Sequence, residues 1–285
     1  MSSKINKVTL GYWSTKGLGA ASRQIIIYAG ITLVAKIYKV LPKEENGEVI
    51  YEGSSWHDND KIELKKKNSL INLPYLQFLK DDEEYVISHS NTCLTFLGKE
   101  FGMFGQTSKE QIECEQLLQE SVDLRSVLTK FAYTHFLKKK EELFAAKEVF
   151  ISAFEKSNSG KLQKFEHWLN SKDNNLSKNF LVGNSISSPD FNLFDTLDLY
   201  KKFLLHYNFV EGAEDNNVFN LAGYPLISEF FNNFKLLPKL QKYLNSELYK
   251  LPFTNKSAKF GSGKSGITWD PAIDSDTTPA EIIIE

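Results

Sequence analysis

The sequence predicts an α/β domain over about its first hundred residues, followed by an all-α domain. Short β-branched and aromatic runs alternate with helical stretches in the first part, whereas the second part repeats apolar residues at three- and four-residue spacing. The segment 101–108, which contains two glycines, separates the two patterns. We therefore expect an α/β domain at 1–101, an all-helical domain at 109–254 and a tail at 255–285.

The first domain opens with a β-α-β unit. Lys7 to Trp13 is an apolar and aromatic run typical of a strand, Ala20 to Ala29 has a helical pattern, and Thr32 to Val40 alternates as a second strand. A right-handed crossover between these strands makes them parallel neighbours. The segment 41–55 is polar and contains glycine, so we expect a long loop there.

A short helix, a hairpin and a further helix complete this domain. Residues 61–67 have the pattern of a short helix. Two runs, Tyr75 to Leu79 and Tyr85 to Ile87, flank an acidic turn and predict antiparallel strands. Residues 88–101 return to a helical pattern, which gives the order β-α-β-α-β-β-α.

The second domain contains one specific motif for the start of a helix. Ser187-Ser188-Pro189-Asp190 places a serine three residues before an acid at the start of an apolar helix, a variant of the capping box. Pro189 is compatible with a first helical turn, where its missing N–H has no intrahelical partner. The tail from Asn255 is rich in Ser, Gly, Thr and Asp, and this composition predicts poor order.

Composition excludes several classes of protein. With 34 basic and 36 acidic side chains the net charge is -2, which argues against a nucleic-acid partner. The two cysteines form neither a disulfide framework nor a metal-binding spacing. The apolar run 25–35 is too short to span a bilayer, so no membrane insertion is expected. The N-terminal residues lack the apolar core of a signal peptide, and we expect a cytoplasmic protein.

Several short motifs follow one another in the order of a known family. They are Leu10-Gly11-Tyr12-Trp13, Lys16-Gly17-Leu18, Asn72-Leu73-Pro74-Tyr75-Leu76, Ile87-Ser88-His89-Ser90-Asn91 and Pro189-Asp190-Phe191. Together they resemble the mu class of cytosolic glutathione transferases over about Lys7 to Lys256. The resemblance implies a thioredoxin-like first domain, a helical-bundle second domain, glutathione as co-substrate without a further cofactor, and a homodimer.

Tyr12 is the candidate catalytic residue. A glutathione thiol is mostly protonated at neutral pH, and a hydroxyl that donates a hydrogen bond to the sulfur stabilises the reactive thiolate. Tyr12 ends the first predicted strand, from which a loop can present it to a cleft. Taken alone, an aromatic residue there is more often a core residue, and the resemblance reverses that preference in favour of the sulfur contact.

The resemblance also implies the contacts that hold glutathione. Beside Tyr12, they involve Trp13 and Leu18. The bond between Leu73 and Pro74 is expected to be cis, so that Leu73 offers its backbone N–H and C=O to the cysteinyl part. Two turns are expected to contact glutathione, one before the run that starts at Tyr75 and one before the last helix of this domain. The residues expected to make these contacts are Asn72, Leu73, Pro74, His89 and Ser90.

The side-chain chemistry of Ser90 and His89, in the turn before the last helix of this domain, can be compared with the contacts expected of them. Ser90 starts a helix, where its hydroxyl, the backbone N–H groups and the helix dipole can hold the γ-glutamyl carboxylate. An ordinary N-cap serine is a compatible interpretation. His89 departs from the family's glutamine, although an imidazole can also donate a hydrogen bond.

Trp56 and Lys61 resemble the tryptophan and lysine that hold the glycyl end of glutathione. Their spacing of five residues exceeds the family's four. Either Lys61 reaches in from one position further, or Asp60 occupies its place and repels the carboxylate.

Asp123 and Tyr133 match the family's acid and its second active-site tyrosine. Ten residues apart on a helix means about 15 Å and roughly 80° of rotation, so they cannot serve the same atoms. The resemblance implies that Asp123 reaches glutathione of the partner subunit and that Tyr133 and Phe253 line the electrophile pocket. The alternatives are a surface acid at Asp123 and a packed aromatic at Tyr133.

Three functions stay open at this point. The first is a transferase that conjugates the glutathione thiolate to electrophilic hydrophobic small molecules, in detoxification. The second is a carrier of hydrophobic ligands on the same fold, and the third is a glutathione-dependent isomerase of the prostaglandin type. Retention of Tyr12, Asn72, Leu73 and Ser90 together favours the transferase.

Overall fold

The structure is a computed structural model that describes residues 5–134, 139–155, 160–173, 175–263, 268–270, 274 and 276–285. It forms two compact units. The first consists of Met1–Phe101 together with Lys239–Glu285, and the second of Gly102–Pro238. The first has a mixed sheet and the second is helical, which confirms the predicted fold class.

The first unit is built on a five-stranded sheet in the order β6-β5-β1-β2-β7. Its elements are β1 (Lys7–Trp13), α1 (Ala20–Tyr28), β2 (Thr32–Tyr38), β3 (Leu41–Glu45), β4 (Glu48–Glu52), α2 (Lys61–Lys67), β5 (Tyr75–Lys80), β6 (Glu83–Ser88), α3 (Ser90–Glu100), α10 (Gln241–Leu244) and β7 (Glu281–Ile284). The parallel pairing of β1 with β2 and the antiparallel pairing of β5 with β6 confirm the sequence prediction.

Residues 41–52 form a hairpin where a loop was predicted. β3 and β4 pair as a separate two-stranded sheet around Asn46-Gly47, both of which have positive φ angles of 54° and 80°. Positive φ at both central residues is the requirement of the tight turn that joins two antiparallel strands. The strands are almost wholly exposed, so the periodicity of burial that usually reveals a strand is missing.

The C-terminal segment belongs to the first unit and is ordered where it is described. β7 pairs antiparallel with β2, with Ile283 opposite Val34, and so becomes the edge of the sheet. Ala258 and Phe260 are buried. The expected tail of poor order is therefore, in its described residues, a packed part of the α/β unit, because its backbone pairs with a sheet edge.

The second unit contains six helices within its described residues. They are α4 (Ser108–Ala132), α5 (Lys139–Phe154), α6 (Lys161–Ser171), α7 (Ser188–Tyr207), α8 (Val218–Leu221) and α9 (Pro225–Lys235). Helix α7 is central, and most of its residues are buried on every face. It begins at the predicted capping box, in which Ser187 and Asp190 bond each other's backbone N–H. No helix of the described residues has the length and apolar character needed to cross a membrane.

Candidate active site

Tyr12 lies at the end of β1, and its hydroxyl is held by the loop that follows. The Leu18 backbone N–H donates a hydrogen bond of 3.0 Å to the Tyr12 hydroxyl oxygen. The residue as a whole is 7% exposed, so Tyr12 is anchored in the protein. The Leu18 side chain is exposed, and its predicted contact with glutathione stays a prediction.

The loop after Tyr12 has little freedom. A Cβ at Gly17 would lie 2.7 Å from the Tyr12 hydroxyl, and the φ of Gly17 is +41°, so this position requires glycine. The buried Arg23 guanidinium donates to the carbonyl oxygens of Thr15 at 2.8 Å and Trp13 at 3.4 Å. The arginine thereby fixes the loop that carries Leu18.

The C-terminal segment closes over the same loop. The backbone N–H groups of Lys16 and Gly17 donate to the carbonyl oxygens of Pro252 and Phe253 at 2.7 and 3.1 Å. The Lys16 ammonium lies 4.2 Å from the centroid of the buried Phe253 ring. The structure thus brings Phe253 to the Tyr12 loop, although most of its ring faces the protein.

The loop before β5 is the second segment that is predicted to contact glutathione. The peptide bond between Leu73 and Pro74 is cis, as predicted. Because Gly11 pairs with Tyr75 across β1 and β5, this loop lies beside the end of the strand that carries Tyr12. The Leu73 N–H donates to the Asn72 side-chain oxygen at 2.9 Å, so that bond must open if the N–H is to contact a ligand.

Ser88 is a structural residue that the sequence prediction overlooked. Its buried hydroxyl accepts from the Asn72 backbone N–H at 2.8 Å and donates to the Asn72 carbonyl oxygen at 3.0 Å. This pair of bonds ties the cis-proline loop to the turn before α3. A serine next to the glutathione-binding turn was the available signal, because its hydroxyl can both donate and accept.

His89 and Ser90 form the turn into α3. His89 is the N-cap residue and has φ 71° and ψ 132°, a conformation that residues with a Cβ rarely adopt. Its side chain is exposed, and Ser90 is half-buried as the first residue of the helix. The first N–H groups of a helix lack intrahelical partners, so this end of α3 can accept a carboxylate.

Trp56 is a core residue in this structure. Its side chain is completely buried and stacks on Tyr75, with ring centroids 5.7 Å apart. The surrounding aromatic cluster consists of Tyr38, Trp56, Leu64, Ile71 and Tyr75, with Trp13 and Leu73 packed against it. Packing alone explains an aromatic residue at position 56, and its contact with glutathione stays a prediction.

The extra residue between Trp56 and Lys61 is absorbed by a π-helical turn over Trp56–Asp60. The Lys61 N–H donates to the Trp56 carbonyl oxygen across five residues. A π-turn accommodates one inserted residue while keeping the helix continuous. Lys61 therefore follows Trp56 by one turn and begins α2, despite the longer spacing.

The Asp60 carboxylate is turned towards the protein. It accepts a hydrogen bond from the Tyr38 hydroxyl and forms an ion pair with Lys36, both at 2.5 Å. The Tyr38 hydroxyl also contacts the Tyr75 hydroxyl at 2.8 Å. Burial opposes ionisation of Asp60, but the bonds from Lys36 and Tyr38 outweigh it and lower its pKa. The Asp60 carboxylate is therefore already bonded within the protein, and a contact of Lys61 with the glycyl end stays a prediction.

Asp123 and Tyr133 lie on the second unit. Asp123 is exposed on α4, where its carboxylate is 3.5 Å from the Lys161 ammonium. Tyr133 is the half-buried C-cap residue of the same helix. Both positions are compatible with the predicted roles, which stay predictions.

The protein's own thiols are poor nucleophiles. Cys93 and Cys114 are unpaired and buried, and burial raises the pKa of each thiol to about 12. Burial therefore disfavours the thiolate form of both side chains, and the thiolate is the nucleophilic form of a thiol. Within the described residues, no group of three or more His, Cys, Asp or Glu side chains could hold a metal ion.

Comparison with known proteins agrees with this arrangement. Residues 122–247 match the family model "Glutathione S-transferase, C-terminal domain". Glutathione S-transferase Mu 3 of Homo sapiens is 24% identical over 261 residues, covering 90% of this chain and 96% of that protein. The class-mu 26 kDa isozyme of Schistosoma mansoni is 28% identical over 254 residues, covering 89% and 95%.

A solved structure gives the same fold. The crystal structure of the glutathione S-transferase Blo t 8 superposes with a TM-score of 0.66 at 19% identity, covering 89% of this chain and 99% of that one. By sequence and by fold the chain is thus similar to glutathione S-transferases, and residues 122–247 match their C-terminal domain. The similarity extends to mu-class relatives, which are 24–28% identical to this chain over about 90% of its length.

Proposed function

We propose that this protein conjugates glutathione to electrophilic small molecules, with Tyr12 activating the glutathione sulfur. The observation that carries the proposal is the Tyr12 hydroxyl, held by the Leu18 N–H beside a cis X-Pro loop. Glutathione is the co-substrate, and no further cofactor takes part in the chemistry.

Tyr12 acts by stabilising the thiolate. Its hydroxyl donates a hydrogen bond to the sulfur, which favours the charged form and lowers the thiol pKa. Because the Leu18 N–H already donates to the hydroxyl oxygen, the O–H bond is polarised and becomes a stronger donor. Each pKa unit gained by the thiol corresponds to about 1.4 kcal/mol.

The reaction follows from the thiolate. The sulfur lone pair forms a C–S bond to the electrophilic carbon, and a leaving group departs with its bonding pair or a conjugated double bond takes up the electrons. The thiol proton goes to solvent before the C–S bond forms. Leu73 and Ser90 would position the cysteinyl and γ-glutamyl parts, and Lys61 would meet the glycyl carboxylate.

Assembly and cellular role complete the proposal. We place the protein in the cytoplasm as a homodimer, in which Asp123 of one subunit reaches glutathione bound to the other. Its exposed carboxylate on α4 is consistent with that role. The natural substrates would then be reactive compounds that the cell removes as glutathione conjugates.

The test is turnover of 1-chloro-2,4-dinitrobenzene with glutathione. Tyr12→Phe should lower kcat by about 10- to 100-fold, the value of a hydrogen bond to a charged group, and change the glutathione Kd by less than about threefold. Tyr51→Phe, which alters an exposed tyrosine of the hairpin, is the matched control and should leave kcat unchanged. An unchanged rate in Tyr12→Phe would show that another donor activates the sulfur.

A further inference from the structure

Four side chains of the first unit form a hydrogen-bond network that the proposed reaction does not use. The Tyr38 hydroxyl, at the end of β2, donates to the Asp60 carboxylate at 2.5 Å and lies 2.8 Å from the Tyr75 hydroxyl. The Asp60 carboxylate also pairs with the Lys36 ammonium at 2.5 Å. The network therefore links β5, which begins at Tyr75, to the residue just before α2.

The direction of these bonds follows from the charge of Asp60. Burial opposes ionisation of this carboxyl, but the bonds from Lys36 and Tyr38 prevail and lower its pKa, so the carboxylate can only accept. Tyr38 has a single hydroxyl hydrogen, which it donates to Asp60, so Tyr75 is the donor in the bond between the two tyrosines. Burial raises the pKa of Tyr75 to about 12, which keeps this donor protonated at neutral pH.

The Tyr75 end of the network is fixed by the sheet. Tyr75 is buried and pairs with Gly11 of β1 and with Ser88 of β6. Its ring stacks on Trp56, and a Cβ at Gly11 would lie only 2.0 Å from the same ring. A residue enclosed in this way cannot move unless the sheet moves with it.

The other end of the network, at α2, has few contacts of its own. The helix has seven residues, Lys61–Lys67, of which only Leu64 is buried. A helix this short is not stable in isolation, so its contacts with the rest of the unit decide where it lies. Asp60 is its N-cap residue, and its carboxylate is bonded to Tyr38. This bond therefore anchors the beginning of α2 to the sheet.

The anchored residue directly precedes Lys61. Asp60 ends the π-helical turn that absorbs the longer spacing after Trp56, and Lys61 is half-buried. Successive residues of a helix are about 100° apart around its axis. With the Asp60 side chain held against Tyr38, the direction of the Lys61 side chain is set as well.

We propose that Tyr38 and Asp60 are positioning residues for glutathione binding, because their hydrogen bond holds the start of α2 where Lys61 meets the glycyl carboxylate. The inference rests on the proposed function, in which Lys61 makes this contact, and it names the groups that orient the lysine. Tyr38 acts through Lys61, so loss of its hydroxyl should weaken recognition of the glycyl carboxylate and spare the chemistry at Tyr12.

Two ligands that differ only at the glycyl end test this role. Glutathione carries a carboxylate there, whereas its C-terminal amide is neutral at that position. Isothermal titration calorimetry measures the Kd of each ligand and requires no turnover. The parent protein should bind glutathione at least about fivefold more tightly than the amide, because a hydrogen bond between two charged groups is the stronger one.

Removal of one hydroxyl should reduce this preference. Tyr38→Phe keeps the ring and should raise the glutathione Kd about three- to tenfold, while the Kd of the amide stays within about twofold. Tyr85→Phe is the matched control, because the Tyr85 hydroxyl also donates to a carboxylate, that of Glu83 at 2.9 Å on β6. This control should change neither Kd. An unchanged preference for glutathione in Tyr38→Phe would overturn the inference.

Asp60→Ala removes the other partner of the same bond. It should also raise the glutathione Kd about three- to tenfold and leave that of the amide within about twofold. A carboxylate that only repels glutathione would have the opposite effect when removed. Tighter binding of glutathione by Asp60→Ala would therefore contradict the positioning role.

A double-mutant cycle shows whether Tyr38 acts through Lys61. In Lys61→Met, the additional change Tyr38→Phe should alter the glutathione Kd by less than about twofold, because the lysine that it positions is absent. An equal loss of affinity with and without Lys61 would show a general effect on the structure and would exclude positioning of this lysine.

The outcomes separate this inference from the proposed function. Turnover of 1-chloro-2,4-dinitrobenzene by a parent protein that binds glutathione and its amide equally would overturn the inference alone. Absence of turnover, with a preference for glutathione that Tyr38→Phe reduces, would uphold the inference and refute the proposed catalysis. If both hold, kcat of Tyr38→Phe at saturating glutathione should stay within about twofold of the parent value, unlike that of Tyr12→Phe.

Discussion

The start of helix α7 offers the most direct test of how the second unit is held together. The Asp190 carboxylate is completely buried and accepts three hydrogen bonds, each 2.7 Å long. The donors are the backbone N–H groups of Leu181 and Ser187 and the Ser187 hydroxyl. One side chain thus fixes both the N-terminus of a central helix and the segment that precedes it.

We expect Asp190→Asn to destabilise the protein by about 2–4 kcal/mol. The amide keeps the size of the side chain but replaces one acceptor oxygen by an NH₂ group, which then faces a buried donor. The loss of a hydrogen bond to a charged group costs about 1.5–3 kcal/mol, and an unsatisfied buried N–H adds about 1–3 kcal/mol. Removal of the buried charge offsets part of this sum.

The contribution of Asp190 to the free energy of unfolding should depend on pH, and the direction of this dependence follows from its pKa. Burial raises the pKa of Asp190 to about 6, against the opposing effect of its hydrogen bonds. The folded protein therefore holds this proton more tightly than the unfolded chain, and the contribution of Asp190 to stability falls by about 1 kcal/mol as the pH rises from 5 to 7. Asparagine does not titrate, so Asp190→Asn should cost about 1 kcal/mol more at pH 5 than at pH 7.

Urea unfolding followed by far-UV circular dichroism at both pH values measures this effect. Asp173→Asn alters an exposed acid of the same unit and should change the unfolding free energy by less than about 0.5 kcal/mol. A loss below 1 kcal/mol in Asp190→Asn, or one that grows with rising pH, would refute the reasoning.

Two further predictions concern the glutathione contacts. Lys61→Met should raise the glutathione KM about three- to tenfold. Asp60→Asn should not lower this KM, because the Asp60 carboxylate faces Lys36 and Tyr38. A lower KM in Asp60→Asn would place that carboxylate against glutathione. Asp123→Ala should raise the glutathione Kd by about tenfold and leave kcat within twofold of the parent value. Sedimentation of the parent protein should show a dimer. A monomeric parent protein, together with an unchanged glutathione Kd in Asp123→Ala, would exclude a role of Asp123 across subunits.

The local patterns of the chain were sufficient for most of the α/β unit. Alternating and helical periodicities predicted β1, α1, β2, β5, β6 and α3, because these elements have local patterns of apolar and polar residues that can be recognised without the rest of the chain. The capping residues Ser187 and Asp190 likewise marked the start of α7, because the signal is contained in four adjacent residues.

Two elements could not be predicted from the periodicity of apolar residues. The β3–β4 hairpin is exposed on both sides, so only Asn46-Gly47 could have revealed it as a tight turn. β7 was missed because its partner β2 lies more than two hundred residues earlier in the chain, and pairing at such a distance leaves no local pattern.

At the site, the sequence by itself determined which residues are available, from Tyr12 and the Leu73-Pro74 pair to Ser90. It could not determine their surroundings, since these depend on atoms far apart in the chain. Only the tertiary structure turned Asp60 towards Lys36 and Tyr38, buried Trp56 in the aromatic cluster, and folded the C-terminal segment over the Tyr12 loop. The composition of that segment predicted poor order, and its order comes from pairing with the edge of β2 and from the hydrogen bond between Ser14 and Asp276, contacts to residues far away in the chain that exist only once the sheet has formed.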